Sequence, residues 1–142
     1  MMKHTRAIFL ISKIRERANK FILADLAQQG ITNLAPSHGD ILVCLYHRQR
    51  LTMKEIAEII HRTKPTVTVL VNKLVELGLV KKNQAEEDSR VIYVELTEQG
   101  QELQQIFEKI STDLVTKVFR NIEQSEIKKL EASLQRMLDN LK

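Results

Sequence analysis

The sequence predicts a mainly α fold with a small β-hairpin, in the α+β class, on three observations. Apolar residues recur at spacings of three and four in six separate stretches, the mark of amphipathic helices. One stretch, Val91-Ile92-Tyr93-Val94-Glu95-Leu96, switches to a period of two. Before it, Gly78, a short apolar pair and a polar loop supply the punctuation of a second, antiparallel strand.

The first helix spans residues 5–29, with Ala7, Ile11, Ile14, Ala18 and Phe21 on its stripe, Ile22 and Leu26 widening it, and Gly30 as its stop. The second is "APSHGDILVCLYHR", where Ser37 can cap, with Asp40 in its first turn to favour the N-terminal dipole. The third is "LTMKEIAEII". Its Thr52 and Glu55 match the S/T-x-x-E box, in which each side chain satisfies a free N–H of the other residue, and Ile56, Ile59 and Ile60 form its apolar face.

The fourth helix lies in "TKPTVTVLVNKLVELGLV". Pro65 suits a first turn, Val67, Leu70, Val71, Leu74 and Leu77 share a side, and Gly78 ends it. Strands 79–82 and 91–96 then flank the loop 83–90. Thr97 can cap a fifth helix with the stripe Leu103, Ile106, Phe107, Ile110, Leu114 and Val118, and Ser125 a sixth that runs to Leu141.

A chain of 142 residues is one domain by length, taken as 1–142, and can bury its own core. The longest apolar run, Ile41 to Tyr46, cannot span a bilayer, and no leader-like apolar segment follows Lys3, His4 and Arg6. Cys44 is the sole cysteine, which excludes an intrachain disulfide and suggests the cytoplasm. Net charge is +4 and the pI about 9.3. The excess is regional: residues 1–30 hold six Lys/Arg against two acids and 34–84 hold eight against four, while 101–142 balance at seven each. A polyanion partner fits that distribution without being required by it.

Short helices joined by a tight turn and followed at once by a hairpin make the winged helix-turn-helix plan. At this point the chain resembles the MarR family of bacterial transcription regulators over nearly its whole length. The resemblance rests on Asp88-x-Arg90 followed five residues later by Leu96-Thr97-x-x-Gly100, in register with "SHGDIL" at 37–42, "LTMKEIAEII" at 51–60 and "NKLVELGLV" at 72–80. It implies a winged helix-turn-helix lobe at about 35–100, flanked by N- and C-terminal dimerisation helices at about 1–34 and 101–142. It further implies a homodimer, usually a repressor, and often a small, aromatic, anionic effector that weakens DNA binding.

The expected partner is double-stranded DNA carrying a pseudo-palindromic operator. Arg90 is the candidate for a minor groove, whose narrowness concentrates negative potential and which a guanidinium enters cheaply. Asp88 cannot favour phosphate, so its expected role is to accept a hydrogen bond and fix the wing. On the fourth helix Lys64, Pro65, Thr66, Thr68, Val69, Asn72 and Lys73 lie on or near the polar face. Thr and Asn can read base edges there, whereas Lys64, Lys73 and the preceding Arg62 suit phosphates. Threonine's poor helix propensity argues against an idle surface.

Cys44, with His47 three residues on, raises a redox-responsive alternative, but a small buried hydrophobe is the simpler reading. The histidines His4, His38, His47 and His61 have no metal-ligand spacing, so no metal and no cofactor are expected. No phosphate-binding Gly-rich loop or catalytic constellation suggests an enzyme, and the stripe of the first helix, though flanked by Lys13, Arg15, Arg17 and Lys20, reads by its near-seven repeat as a dimer interface rather than a membrane surface. A winged-helix protein-interaction module without DNA binding is the remaining alternative. It predicts exposed aromatic or large apolar anchors where this face carries Thr and Asn.

Overall fold

The computed structural model describes residues 4–142; Lys3 and the first residues of the expected domain lie outside that range. The order is α1 (Ala7–Gln28), α2 (Pro36–His47), β1 (Arg50–Thr52), α3 (Met53–Ile60), α4 (Lys64–Glu76), β2 (Val80–Gln84), β3 (Ile92–Leu96), α5 (Glu98–Glu102), α6 (Gln104–Val118) and α7 (Gln124–Asp139). The fold is a winged helix-turn-helix with long helices before and after it.

The hairpin has a third strand. β1 pairs antiparallel with β3, so the sheet order is β1-β3-β2, with Leu51 opposite Val94 and Val80 opposite Leu96. The sequence pattern predicts Leu51 and Thr52 at the start of the third helix. Instead Thr52 ends the strand and caps α3 in one step: it takes the Glu55 N–H at 3.1 Å, and Glu55 takes the Thr52 N–H at 3.1 Å. The expected capping box is therefore present.

Other caps differ. α2 begins at Pro36, with Ala35 rather than Ser37 at the cap, and Asp40 lies beyond the first turn. His38 Nδ1 accepts the Ala35 N–H at 2.9 Å in place of a serine cap. Pro36 explains the earlier start, since it brings a preset φ to a position with no N–H to lose. α7 starts at Gln124, one residue before Ser125, with no side-chain cap. The fifth predicted helix is two: Thr97 caps α5 by taking the Gly100 N–H at 3.1 Å, and the chain turns at Leu103 before α6.

The core is contiguous. Ile41, Leu42, Leu45, Leu51, Ile56, Val67, Val71, Leu74, Val80 and Val94 are buried between α2, α3, α4 and the sheet. Leu26 of α1 and Phe107 and Ile110 of α6 are buried with them, so the flanking helices contribute to the lobe's core. Ile59, expected on the α3 core face, is instead 44% exposed. α7 buries no residue.

Candidate nucleic-acid interface

The turn between α3 and α4 aims the second helix. His61 ends α3 in the left-handed region at φ 56°, and the Arg62 N–H closes the turn on the Ala57 carbonyl at 3.1 Å. Thr63 then caps α4, accepting the Thr66 N–H at 3.4 Å, with its hydroxyl 2.9 Å from that of Thr66. Lys64 and Pro65 fill the first turn.

α4 buries Val67, Val71 and Leu74, which leaves Pro65, Val69 and Asn72 along the opposite face. Val69 is 69% exposed, the largest apolar side chain on that face. The flanking residues divide. Lys64 and Thr68 turn toward the wing. Lys73 turns toward α2, where its charge joins burial in holding His38 below the ordinary histidine range; it also meets Glu76 at 3.9 Å. The expected single strip is thus two edges around an apolar centre. The Thr68 hydroxyl donates to the Lys64 carbonyl at 3.0 Å, so its hydrogen is already committed within the helix.

The wing is organised by hydrogen bonds. Across its mouth the Ala85 N–H reaches the Val91 carbonyl at 2.9 Å, and Gln84 Nε2 reaches the Ser89 carbonyl at 2.7 Å. At its tip Asp88 accepts three bonds from Arg90: backbone N–H at 2.9 Å, Nε at 3.1 Å and Nη2 at 3.1 Å. Those bonds hold the Asp88 carboxyl below its ordinary value. The Arg90 side chain remains 88% exposed. A guanidinium carries five N–H donors, so about three still face outward from a fixed plane.

Between α4 and the wing lies an open notch that collects Lys54, Lys64, Lys82 and Arg90 with no acid in its walls. Lys54 and Lys82 were not among the sequence candidates. The register places Lys82 opposite buried Val94, on the sheet face turned to α4, where it donates to Asn72 Oδ1. That bond takes one of the two lone pairs of the oxygen that bidentate adenine pairing would use, and leaves the Asn72 amide hydrogens free. Lys81, one residue earlier, faces the other way and meets Glu95 at 4.0 Å. Glu86, Glu87 and Glu95 line a separate polar groove with Arg50 and Tyr93, away from the notch.

The L-T-x-x-G part of the wing signature serves the wing's base. Thr97 donates its hydroxyl to the Gly78 carbonyl at 2.6 Å and its N–H to the Leu79 carbonyl at 3.0 Å. Gly100 sits so close that an added Cβ would stand 2.1 Å from the Leu79 oxygen. The Tyr46 hydroxyl donates to the Gly100 carbonyl at 3.0 Å and ties α2 to the same point.

Residues 34–92, which carry this helix and most of this wing, match the profile of the MarR family. The match falls on this lobe and covers under half of the chain. The likeness in fold extends over the whole chain: the structure of the Staphylococcus aureus MepR–DNA complex matches with a TM-score of 0.86 at 25% identity, covering 97% of this chain and 99% of that one. A MarR regulator from Methanosarcina mazei matches at 0.77 and 23% identity, with 92% of each chain covered. Among curated proteins, the HTH-type regulator YdgJ of Bacillus subtilis is 25% identical over 80% of this chain and 69% of its own length. The organic hydroperoxide resistance regulator of the same organism is 28% identical over 70% of this chain and 67% of its own. These MarR-type relatives are transcriptional regulators, not enzymes.

Away from the notch, a cleft of about 440 Å³ opens between α1, α2, α3 and α6. Cys44 lies on its wall, half-buried. Burial, and then the Asp40 carboxylate, push the Cys44 thiol above its ordinary value, which disfavours the reactive thiolate. Among the described residues no three His, Cys, Asp or Glu side chains converge, and no helix is long and apolar enough to cross a membrane.

Proposed function

We propose that this chain is a cytoplasmic, homodimeric repressor that reads a pseudo-palindromic operator and is released from it by a small molecule. The observation that carries the DNA reading is the notch: Lys54, Lys64 and Lys82, with no acid in its walls, between an exposed helix face and an arginine pre-ordered by Asp88. In this reading α4 enters a major groove, with Thr66 and the Asn72 amide at base edges and Val69 against thymine methyl groups. Lys54, Lys64, Lys82 and Arg62 meet phosphates, and Arg90 enters the adjacent minor groove. MepR, the full-length structural match, was solved bound to DNA, which supports the same docking.

The dimer reading rests on the flanking helices. Ile8, Ile11 and Ile14 of α1 and Leu130, Leu134 and Leu138 of α7 are exposed along helical faces. A 16-residue helix that buries nothing gains little from packing on its own chain. A second copy supplies the missing surface. The effector reading rests on the cleft, whose volume suits a small ligand and whose walls join the dimerisation helices to the lobe.

The test is selection of binding sites from a random duplex library by the purified protein, followed by anisotropy titration of the selected duplex at two salt concentrations. A dyad with half-site centres one helical turn apart, ~10 bp, and a steep salt dependence are expected. A well-folded dimer that enriches no sequence would end the reading.

A further inference from the structure

We infer that Tyr46 is a positioning residue for DNA binding: its hydroxyl sets the angle at which the wing leaves the lobe, and so how well α4 and Arg90 fit one duplex together. This deepens the DNA reading and rests on it. Tyr46 stands on α2, outside the notch, so it acts through other residues.

Both wing strands leave the lobe at one joint. β2 begins just after Gly78 and Leu79, and β3 ends just before Thr97. Thr97 closes the joint with its hydroxyl on the Gly78 carbonyl and its N–H on the Leu79 carbonyl. The same hydroxyl accepts the Gly100 N–H at 3.1 Å, and Gly100 lies so close to Leu79 that no side chain fits between them. The Gly100 carbonyl takes two bonds of its own: the Leu103 N–H at 3.3 Å, where the chain turns into α6, and the Tyr46 hydroxyl at 3.0 Å. Gly100 is therefore where α2, α6 and the wing base meet.

Tyr46 is held to make that bond. Its ring lies 6.2 Å from that of Phe107, tilted by 48°, and Phe107 is itself buried against Gly39 of α2. Burial, and then the Glu108 carboxylate, push the phenol above its ordinary value, so the hydroxyl stays protonated and able to donate. A phenylalanine would serve the packing alone; the hydroxyl serves the joint. The wing magnifies what happens there. Strands of five residues at ~3.3 Å each carry the wing about 16 Å from its base, so a tilt of about 5° moves its far end by about 1 Å. Binding through charge alone tolerates such a shift, whereas hydrogen bonds to base edges do not.

The test compares Tyr46→Phe with the wild-type chain by anisotropy on two duplexes, the selected one and a scrambled one of the same length and composition. The preference for the selected duplex is expected to fall about fivefold, with affinity for the scrambled duplex unchanged. Partial unfolding lowers both affinities alike and leaves their ratio intact, so a merely structural role does not imitate this result. A cycle with Arg90→Ala then locates the effect. The loss caused by Arg90→Ala should be smaller in the Tyr46→Phe background, whereas losses at independent sites multiply. An unchanged ratio in Tyr46→Phe, or losses that multiply, would overturn the inference and leave the DNA reading standing. A wild-type chain that does not distinguish the two duplexes would overturn both.

Discussion

Arg90 and Asp88 act as a unit, and their variants should separate affinity from orientation. Arg90→Ala removes one cation from the interface, so the slope of log K against log salt should fall by roughly one, with lower affinity. Asp88→Ala removes the three bonds that hold the arginine plane and, with them, one negative charge; affinity should still fall, because the unpinned guanidinium loses its orientation, while the slope stays within error. Anisotropy titrations at several salt concentrations check both; an unchanged slope in Arg90→Ala would remove it from the interface. Gly100 is a different matter. An alanine methyl there meets a backbone oxygen at 2.1 Å, and α5 cannot retreat while Tyr46 and Thr97 hold it. Gly100→Ala should cost more than about 3 kcal/mol, roughly 10 °C in Tm by circular dichroism. A drop of under about 2 °C would mean that the wing base is compliant.

At the scale of elements, caps make the sharpest forecast. Thr52→Ala should destabilise by about 1 kcal/mol in urea unfolding, whereas Ser37→Ala and Ser125→Ala, which cap nothing, should stay within about 0.5 kcal/mol. Equal effects at all three would refute the assignment. The Glu55 half of the box is pH-dependent. The Thr52 N–H and hydroxyl hold its carboxyl below the ordinary value, so the contribution is present above the usual carboxylate range and is lost as pH falls through it. The Thr52–Glu55 box was legible because its two residue types and spacing are specific. β1 was not, because three residues with one buried side chain give no period to detect, and the pairing partner lies about forty residues away. The α5–α6 turn was equally hidden, since Leu103 keeps helical dihedrals and stays on the apolar stripe. Lys82 could have been found by counting alternation forward from Val80, but its partner Asn72 could not, since that contact depends on how the sheet meets α4.

For the whole molecule, the order of elements and the helix-wing pairing were readable from periodicity, while the lobe's boundary was not. Phe107 and Ile110 look like any helix stripe in sequence, yet they close the core of the lobe. The dimer reading gives a test at this scale. Tm should rise with protein concentration, and a Leu130→Glu, Leu134→Glu double variant should sediment as a monomer, with affinity for the selected duplex reduced by roughly a hundredfold or more. A monomeric wild-type chain with full affinity would defeat the dimer. α4 and the wing strand share one buried core through Val71, Leu74 and Val80, with Asn72 meeting Lys82 above it, so the two reading elements form one stiff caliper rather than two fingers. A caliper does not adjust its gap; the duplex must. Sites whose base steps bend or narrow cheaply between the two grooves are therefore favoured, and part of the operator's sequence should be selected at positions that no side chain touches.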